Sequence, residues 1–361
     1  MQDSYKKAKL ILKDGSTFEG FSFGFEQSAS GEVVFNTGMT GYVESLTDPS
    51  YKGQIITFTY PMIGNYGVPA SEFDEFGIEK FYESEKIHAS GLIISDYSEH
   101  FSHNDAIKNL SQWLIEHKTP ALFGIDTRAL TKRLREKGVI LGKIIFDNEE
   151  IRFSNPNLKN LVAEVSIDKR SVYEPKKINK STKTVLLVDC GVKNNIIRIF
   201  LSRGVRVVRV PWDYDFSKEE YDGLFISNGP GNPKKCKTTI RNIAEAQKNT
   251  KPMFGICLGS QLMALASGAD TYKLKYGHRG FNQSCIDRDG RCFITSQNHG
   301  FAVKENTLSN SWRWKFKNVN DGTNEGVEHK SKPFFAVQFH PEASAGPMDT
   351  EFLFDEFIKK L

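Results

Sequence analysis

Residues 252–261 read Pro-Met-Phe-Gly-Ile-Cys-Leu-Gly-Ser-Gln, and this stretch decides how the second half of the chain folds. Pro252 to Ile256 is a short apolar run of strand type, and the residues after Cys257 have helical character. Between them, Gly255-Ile256-Cys257-Leu258-Gly259 sets a cysteine in a Gly-x-Cys-x-Gly turn. This is the cysteine form of the nucleophile elbow: the glycines permit a sharp strand-to-helix turn and the nucleophile sits in strained backbone. A helix N-terminus favours negative charge on the sulfur. The N–H of Leu258 is placed to donate to a developing oxyanion. Free cysteine is among the most buried residue types, and that inert reading holds for Cys190, Cys236, Cys285 and Cys292. At Cys257 the flanking pattern reverses it.

Outward from this stretch the same rhythm repeats. Val185 to Val188 is a continuous apolar run, as a strand buried on both faces requires. A helix over about Asn194 to Arg203 comes after it, ended by Gly204. Next come a strand (Val205 to Val210), a helix starting near Ser217, a strand (Gly223 to Ile226) and a longer helix (about Thr238 to Gln247). Strands and helices alternating through short links imply a doubly wound parallel sheet. Ligands of such sheets gather at the carboxyl ends of the strands, which is where Cys257 falls.

The first half reads as mixed β and α. Lys9 to Phe23 alternates around Asp14-Gly15, a hairpin signal. Glu32 to Phe35, Gln54 to Phe58, Ile87 to Ser95 and Ala121 to Gly124 are further strand candidates. Helical periodicity covers Asn104 to Glu116 and Thr127 to Lys137, the latter started by Asp126 or Thr127 and stopped by Gly138. Asp147 to Lys183 is irregular, with a Lys-rich stretch near its end. The expected organisation is an N-terminal domain over 1–146, a linker over 147–182 and a second domain over 183–361.

A cysteine nucleophile needs a base, and the base needs an orienting group. Gln338-Phe339-His340-Pro341-Glu342 comes directly after the strand-like run Phe334 to Val337. Glu342, two residues from His340, can reach back to the imidazole. Spacing alone leaves the pairing with Cys257 open, because only the fold can bring them together. Ser227-Asn228-Gly229-Pro230-Gly231 closes the strand from Gly223 and leaves unobstructed backbone N–H groups; a bare turn is the bland alternative. Gln297-Asn298-His299-Gly300-Phe301 reads as a polar loop between strand-like runs.

Composition bounds the possible functions. In 361 residues, 39% apolar content supports two ordinary soluble cores. The net charge of +4 balances 48 basic against 44 acidic residues without a basic run, which argues against nucleic acid as a partner. Met1 to Lys7 has no apolar core of a secretory signal, and no stretch approaches the roughly 20 apolar residues that span a bilayer. The expectation is a cytoplasmic protein with no membrane contact. Five cysteines without paired spacing are expected as free thiols. No metal-ligand spacing or phosphate loop stands out.

Gly255 to Gln261 together with His340-Pro341-Glu342 resembles the class I glutamine amidotransferases. Thr47-Asp48-Pro49-Ser50-Tyr51, Tyr60-Pro61, Gly64-Asn65, Ile125 to Arg128, Gly277-His278-Arg279-Gly280, Ser296 to Phe301 and Asn320 to Gly326 are similar to the carbamoyl-phosphate synthetase small subunit. The resemblance covers nearly the whole chain. It implies an α/β architecture: a C-terminal flavodoxin-like class I glutamine amidotransferase domain and an N-terminal swivelling β/β/α-type domain. It implies that Cys257 attacks the glutamine carboxamide, His340 moves the protons and Glu342 orients the imidazole. Gly229 and Leu258 would bind the oxyanion; Ser50, Gly231, Gln261, Asn298, Gly300 and Phe301 match glutamine-binding positions, with Ser50 reaching in from the other domain.

The resemblance also implies a large-subunit partner in a heteromeric complex. That subunit uses ATP, a metal ion and bicarbonate to turn the ammonia into carbamoyl phosphate for pyrimidine and arginine biosynthesis, with no cofactor in this chain. Asn232 and Cys190 depart from the residues usual at those positions, Asp and Tyr, and neither carries a catalytic role. The alternatives are a catalytically idle regulatory or structural subunit, and another glutaminase on the same scaffold.

Overall fold

The computed structural model describes residues 5–361. Their contacts form two compact units. One runs through Glu72 and resumes over Glu79–Asn157; the other comprises Phe73–Ile78 and Leu158–Leu361.

The first unit is a closed barrel of seven strands, in the order Lys7–Leu12, Thr17–Ser22, Ala121–Phe123, Gly91–Ile93, Gln54–Phe58, Ala29–Asn36 and Ile140–Ile145. The first two make the expected hairpin, pairing Leu10 with Phe18, and Gly15 takes φ +90° at the turn. Gln54–Phe58 lies parallel to both Ala29–Asn36 and Gly91–Ile93. Its buried Ile55 and Ile56 lie beside Val33 and Val34 on one side, and Ile56 meets Leu92 on the other. Helix Thr127–Lys137 starts where Asp126 Oδ1 accepts the Ala129 N–H at 2.8 Å, and it stops at Gly138.

Helix Leu110–Glu116 is shorter than its periodicity suggests. Asn109 and Gln112 form a capping box that fixes the start there. The preceding Ala106–Lys108 is extended instead and pairs with Val68–Pro69, leaving Ile107 exposed.

The second unit is built on a ten-stranded sheet. Its middle is parallel, in the order Arg206–Pro211, Thr184–Asp189, Gly223–Ile226, Met253–Ile256 and Phe334–Val337. Numbered along the chain, that order is 2-1-3-4-5, the flavodoxin-like arrangement. The apolar runs are continuous because the sheet is buried on both faces. Val185 and Leu187 pack with Ile196, Phe200, Phe354 and Phe357 on one side. Leu186 and Val188 pack with Ile243, Leu262 and Met263 on the other. Helices Asn194–Ser202 and Phe352–Ile358 therefore cover one face, and Lys237–Ala246 and Leu258–Ala266 cover the opposite one.

Antiparallel strands extend both edges. Ser171–Tyr173 pairs with Arg206–Pro211, and on the far side come Asn324–His329, Trp312–Asn318, Asp270–Asp287 and Cys292–Lys304. The helix expected from Ser217 is only the 3₁₀ turn Phe216–Lys218. Asp215 accepts the Ser217 N–H and hydroxyl, and the chain is extended again at Glu219, whose carboxylate is held by Arg170 and Tyr214.

Candidate active site

Cys257 stands between strand Met253–Ile256 and helix Leu258–Ala266, with φ 53° and ψ −105°. A non-glycine residue in that left-handed region is strained unless its surroundings fix it. They do: the Cys257 N–H donates to Val337 O at 2.8 Å, and its carbonyl accepts the Ser260 N–H at 3.1 Å. The flanking glycines are required by close approach. A Cβ on Gly259 would lie 2.2 Å from Ile226 O, and one on Gly255 would lie 2.7 Å from Met263 Sδ. Only bare backbone lets the helix seat this closely on the sheet. As the first residue of the helix, Leu258 has an N–H with no intrahelical acceptor, aimed away from the helix body.

The candidate base follows the neighbouring strand. Phe334–Val337 runs parallel to Met253–Ile256, with Val337 opposite Ile256, and leads directly into His340. The His340 N–H donates to Ser296 O at 2.8 Å, which fixes the backbone. Its Nδ1 lies 2.6 Å from Glu342 Oε1, and both side chains are almost wholly buried. Burial disfavours the imidazolium, but the Glu342 carboxylate and the Cys257 sulfur outweigh it and push His340 up to about 10. Burial likewise opposes the Glu342 anion, and Lys193 and His340 overcome it, holding that carboxyl down at about 2. His340 Nε2 is buried with no hydrogen-bond partner among the described residues, on a ring that Cys257 reaches electrostatically.

Lys193 was not visible to sequence reasoning. It precedes helix Asn194–Ser202, its side chain is 5% exposed, and its Nζ donates to Glu342 Oε1 at 3.1 Å and to the Ala343 carbonyl. A lysine just before a helix ordinarily reads as solvated. No local signal marks this one, since its partner lies 149 positions away. The other buried thiols are in unactivating surroundings: burial pushes Cys190, Cys236 and Cys285 up, Cys236 to about 12.

The segment Gln297–Phe301 is not a loop. It lies within strand Cys292–Lys304, paired with Asp270–Asp287 so that His278 faces His299 and Arg279 faces Asn298. Its polar side chains point into a polar interior, which hides the strand from hydropathy. Asn298 O lies 3.7 Å from Cys257 Sγ. Gln261 Nε2 donates to Phe301 O at 2.9 Å and to Gln338 Oε1 at 3.0 Å. Gly229 lies just past strand Gly223–Ile226, so close to Cys190 that a Cβ would lie 2.0 Å from the Cys190 carbonyl oxygen, and Gly231 takes φ +85°. In the second unit, then, Cys257, His340 and Glu342 come together with Gln261, Asn298, Gly300 and Phe301, at the carboxyl ends of adjacent strands. Ser50 belongs to the first unit, where it is buried in the turn Pro49–Tyr51 and its N–H donates to Asp48 Oδ1 at 2.9 Å.

Residues 10–144 match the family described as "Carbamoyl-phosphate synthase small chain, CPSase domain", and residues 186–360 match "Glutamine amidotransferase class-I". The chain carries a carbamoyl-phosphate synthase small-chain domain followed by a class I glutamine amidotransferase domain. Over 98% of its length it is 53% identical to "Multifunctional protein CAD" of Squalus acanthias, covering 16% of that protein. Over 97% of its length it is 50% identical to "Carbamoyl-phosphate synthase [ammonia], mitochondrial" of Homo sapiens, covering 23% of that protein. The chain thus spans less than a quarter of the length of the curated relatives it matches. A crystal structure of a glutamine amidotransferase from Thermotoga maritima is 21% identical with a TM-score of 0.37, covering 49% of this chain and 85% of that one. Among the described residues, no helix is long and apolar enough to cross a membrane.

Proposed function

We propose that this chain hydrolyses L-glutamine to glutamate and ammonia through a thioester on Cys257, and that the ammonia passes to a synthetase partner that makes carbamoyl phosphate. The observation that carries this reading is the buried His340–Glu342 pair, 2.6 Å apart, just past the strand next to the Cys257 elbow. Glu342 holds the Nδ1 proton, so Nε2 is the nitrogen that exchanges a proton with the sulfur.

His340 holds the proton taken from the Cys257 thiol, and the sulfur bonds to the carboxamide carbon. The oxygen of the tetrahedral intermediate accepts from the Leu258 and Gly229 N–H groups. His340 then gives its proton to the nitrogen, the C–N bond breaks, and ammonia leaves. Water, deprotonated by His340, attacks the thioester; glutamate is released and the thiol restored. Gly231, Gln261, Asn298, Gly300 and Phe301 would shape the glutamine pocket. Atoms balance with thiol, imidazole and water, so the step needs no cofactor from this chain; ATP and a metal ion belong to the partner's chemistry.

The partner is a separate large subunit or the remainder of a longer chain, as in the multifunctional relatives. Free thiols at all five cysteines suit a reducing compartment, the cytosol in this reading. The product would serve pyrimidine and arginine synthesis. A second reading, an idle domain on an ammonia-using synthetase, is suggested by the printed name of the human relative. The charged and oriented His340 beside Cys257 favours the glutaminase.

Glutamate release from glutamine, measured with the synthetase partner present, separates the two. Wild type is expected to be active and Cys257→Ala to lose activity by at least about 10³-fold, with ammonia-driven carbamoyl phosphate synthesis retained. Equal glutamate release by both proteins would rule out the thioester mechanism, and none from an otherwise competent wild-type complex would favour the idle domain.

A further inference from the structure

Three segments that the sequence singles out, Gly277–Gly280, Ser296–Phe301 and Asn320–Gly326, contain no residue of the proposed proton-transfer chemistry. They converge on one side chain. Glu325, on strand Asn324–His329, is completely buried, and its Oε1 lies 3.1 Å from His278 Nδ1 and 3.5 Å from His299 Nε2. The other nitrogen of each ring is also engaged. His278 Nε2 faces Asp321 Oδ2 at 2.9 Å, and His299 Nδ1 faces Phe301 O at 2.9 Å. A register shift between Lys273 and His278 in strand Asp270–Asp287 sets His278 opposite His299.

The hydrogen-bond directions are constrained. Both nitrogens of His278 meet carboxylate oxygens, so both carry protons and the ring is an imidazolium. Burial opposes that charge, and Glu325 and Asp321 more than restore it, raising the His278 pKa. Gln297 Nε2 donates to Thr295 Oγ1, whose own hydroxyl donates to Gln283 O. Gln297 Oε1 is therefore turned toward His299 Nε2, at 3.2 Å. The groups facing these two rings are Glu325 from its strand, Asp321 from the turn before it, each other across the strand pair, and the Cys285 thiol close to Glu325.

The cluster is tied to the reaction site at two places. The Phe301 carbonyl that His299 faces also accepts from Gln261, one turn along the helix that Cys257 begins. The Glu325 carbonyl accepts the N–H of Gln338, two residues before His340, at 2.8 Å. Removing the carboxylate would take from both rings the partner they share, while the backbone bond to Gln338 remains. The effect falls on the 297–301 segment rather than on the proton-transfer pair.

We propose that Glu325 is a positioning residue for glutamine: its buried carboxylate holds His278 and His299, and through them fixes the Asn298–Phe301 backbone against which the substrate is bound. This inference rests on the glutaminase reading. The same three side chains have the spacing of a cation site, their ligand atoms lying within 4.8 Å of one another. The second carboxylate, Asp321 on the far nitrogen of His278, favours a proton there, and chelator treatment distinguishes a metal-held cluster.

The test is glutamate release by the full chain with its synthetase partner, with KM and kcat for glutamine measured between pH 6.5 and 9. Glu325→Ala is expected to raise KM about tenfold with kcat within about threefold of wild type. Alkylation of Cys257 by iodoacetamide, a reagent too small to need the pocket, is expected to keep its wild-type rate. Glu325→Gln keeps an acceptor oxygen and is expected to restore KM near pH 6.5 but not near pH 9. The sign is set by His278: its charge is complete below its ordinary pKa and is lost as pH rises through the raised one, and without the Glu325 charge that loss comes at lower pH.

Asp321→Asn acts on His278 from a half-exposed position and is expected to start the rise in KM at lower pH than wild type, which keeps the idea testable should Glu325→Ala fail to fold. An unchanged KM in Glu325→Ala, or in a failed fold an unchanged pH profile in Asp321→Asn, overturns the proposal while leaving the glutaminase reading intact. A KM that rises on chelator treatment and recovers with zinc overturns it in favour of a metal-held cluster. A wild-type complex that makes carbamoyl phosphate from ammonia but releases no glutamate removes the reading beneath it.

Discussion

Glu342 sits out of contact with water between two cations, and the charge of His340 depends on it. Glu342→Gln keeps the shape and removes the anion. Glutamate release is expected to fall by about 10²-fold or more, because nothing then fixes the Nδ1 proton or stabilises the imidazolium. The change also alters stability against pH. The upward shift of His340, from 6.5 to about 10, contributes stability that is complete below 6.5 and is lost as pH rises toward 10. The downward shift of Glu342, from 4.5 to about 2, contributes stability that is present above 4.5 and is lost as pH falls toward 2. In urea melts, wild type is therefore expected to weaken from pH 6.5 upward, and Glu342→Gln to lose much of that alkaline slope. A slope unchanged in the variant would contradict the assigned charge state. At this scale the sequence showed Cys257 through its glycines and left the pairing of His340 with Cys257 open. It held no sign of Lys193, whose partner Glu342 lies in a turn 149 positions away.

Among the elements, the elbow was the most legible, because its rule is local. Glycines two residues to either side of Cys257 are what a strand needs in order to turn at once into a helix lying on the sheet. Gly259→Ala tests the close approach. Its Cβ would lie 2.2 Å from the Ile226 carbonyl oxygen, backbone that cannot swing aside, so the helix must shift. A loss of about 2 kcal/mol or more in denaturant melts is expected, with slower Cys257 alkylation as the turn relaxes. A variant as stable as wild type would mean that the helix has room to move. The helices that differ from their periodicity do so for equally local causes. Periodicity places Asn104 to Glu116 in one helix, and the Asn109–Gln112 capping box moves the start to Leu110. Near Ser217 the Asp215 side chain satisfies the first turn by itself, and nothing apolar continues it. Strand Cys292–Lys304 is hidden at Gln297–Phe301 because its buried face is lined with amide and imidazole groups.

At the scale of the molecule, each unit is held by its own core. The parallel sheet of the second unit was readable because two-sided burial demands unbroken apolar runs. Residues 158–182 show what such a reading omits. Val162 is fully buried in the core of the second unit, the Ile167 N–H donates to Asp189 Oδ2 at 2.8 Å, and Ser171–Tyr173 forms an edge strand. Hydrogen exchange on the full chain is expected to protect the Ile167 amide by about 10²-fold or more. Free exchange there would mean that this stretch is not anchored to the sheet. The sequence by itself determined the parallel sheet, the elbow and the cysteine it presents, since each is encoded by neighbouring residues and by the backbone freedom of glycine. Tertiary structure alone decided which imidazole meets the sulfur, which lysine neutralises Glu342, and that His278, His299, Asp321 and Glu325 form one cluster. Those contacts join residues far apart in the chain, and a buried charge is tolerated only where the fold delivers its partner.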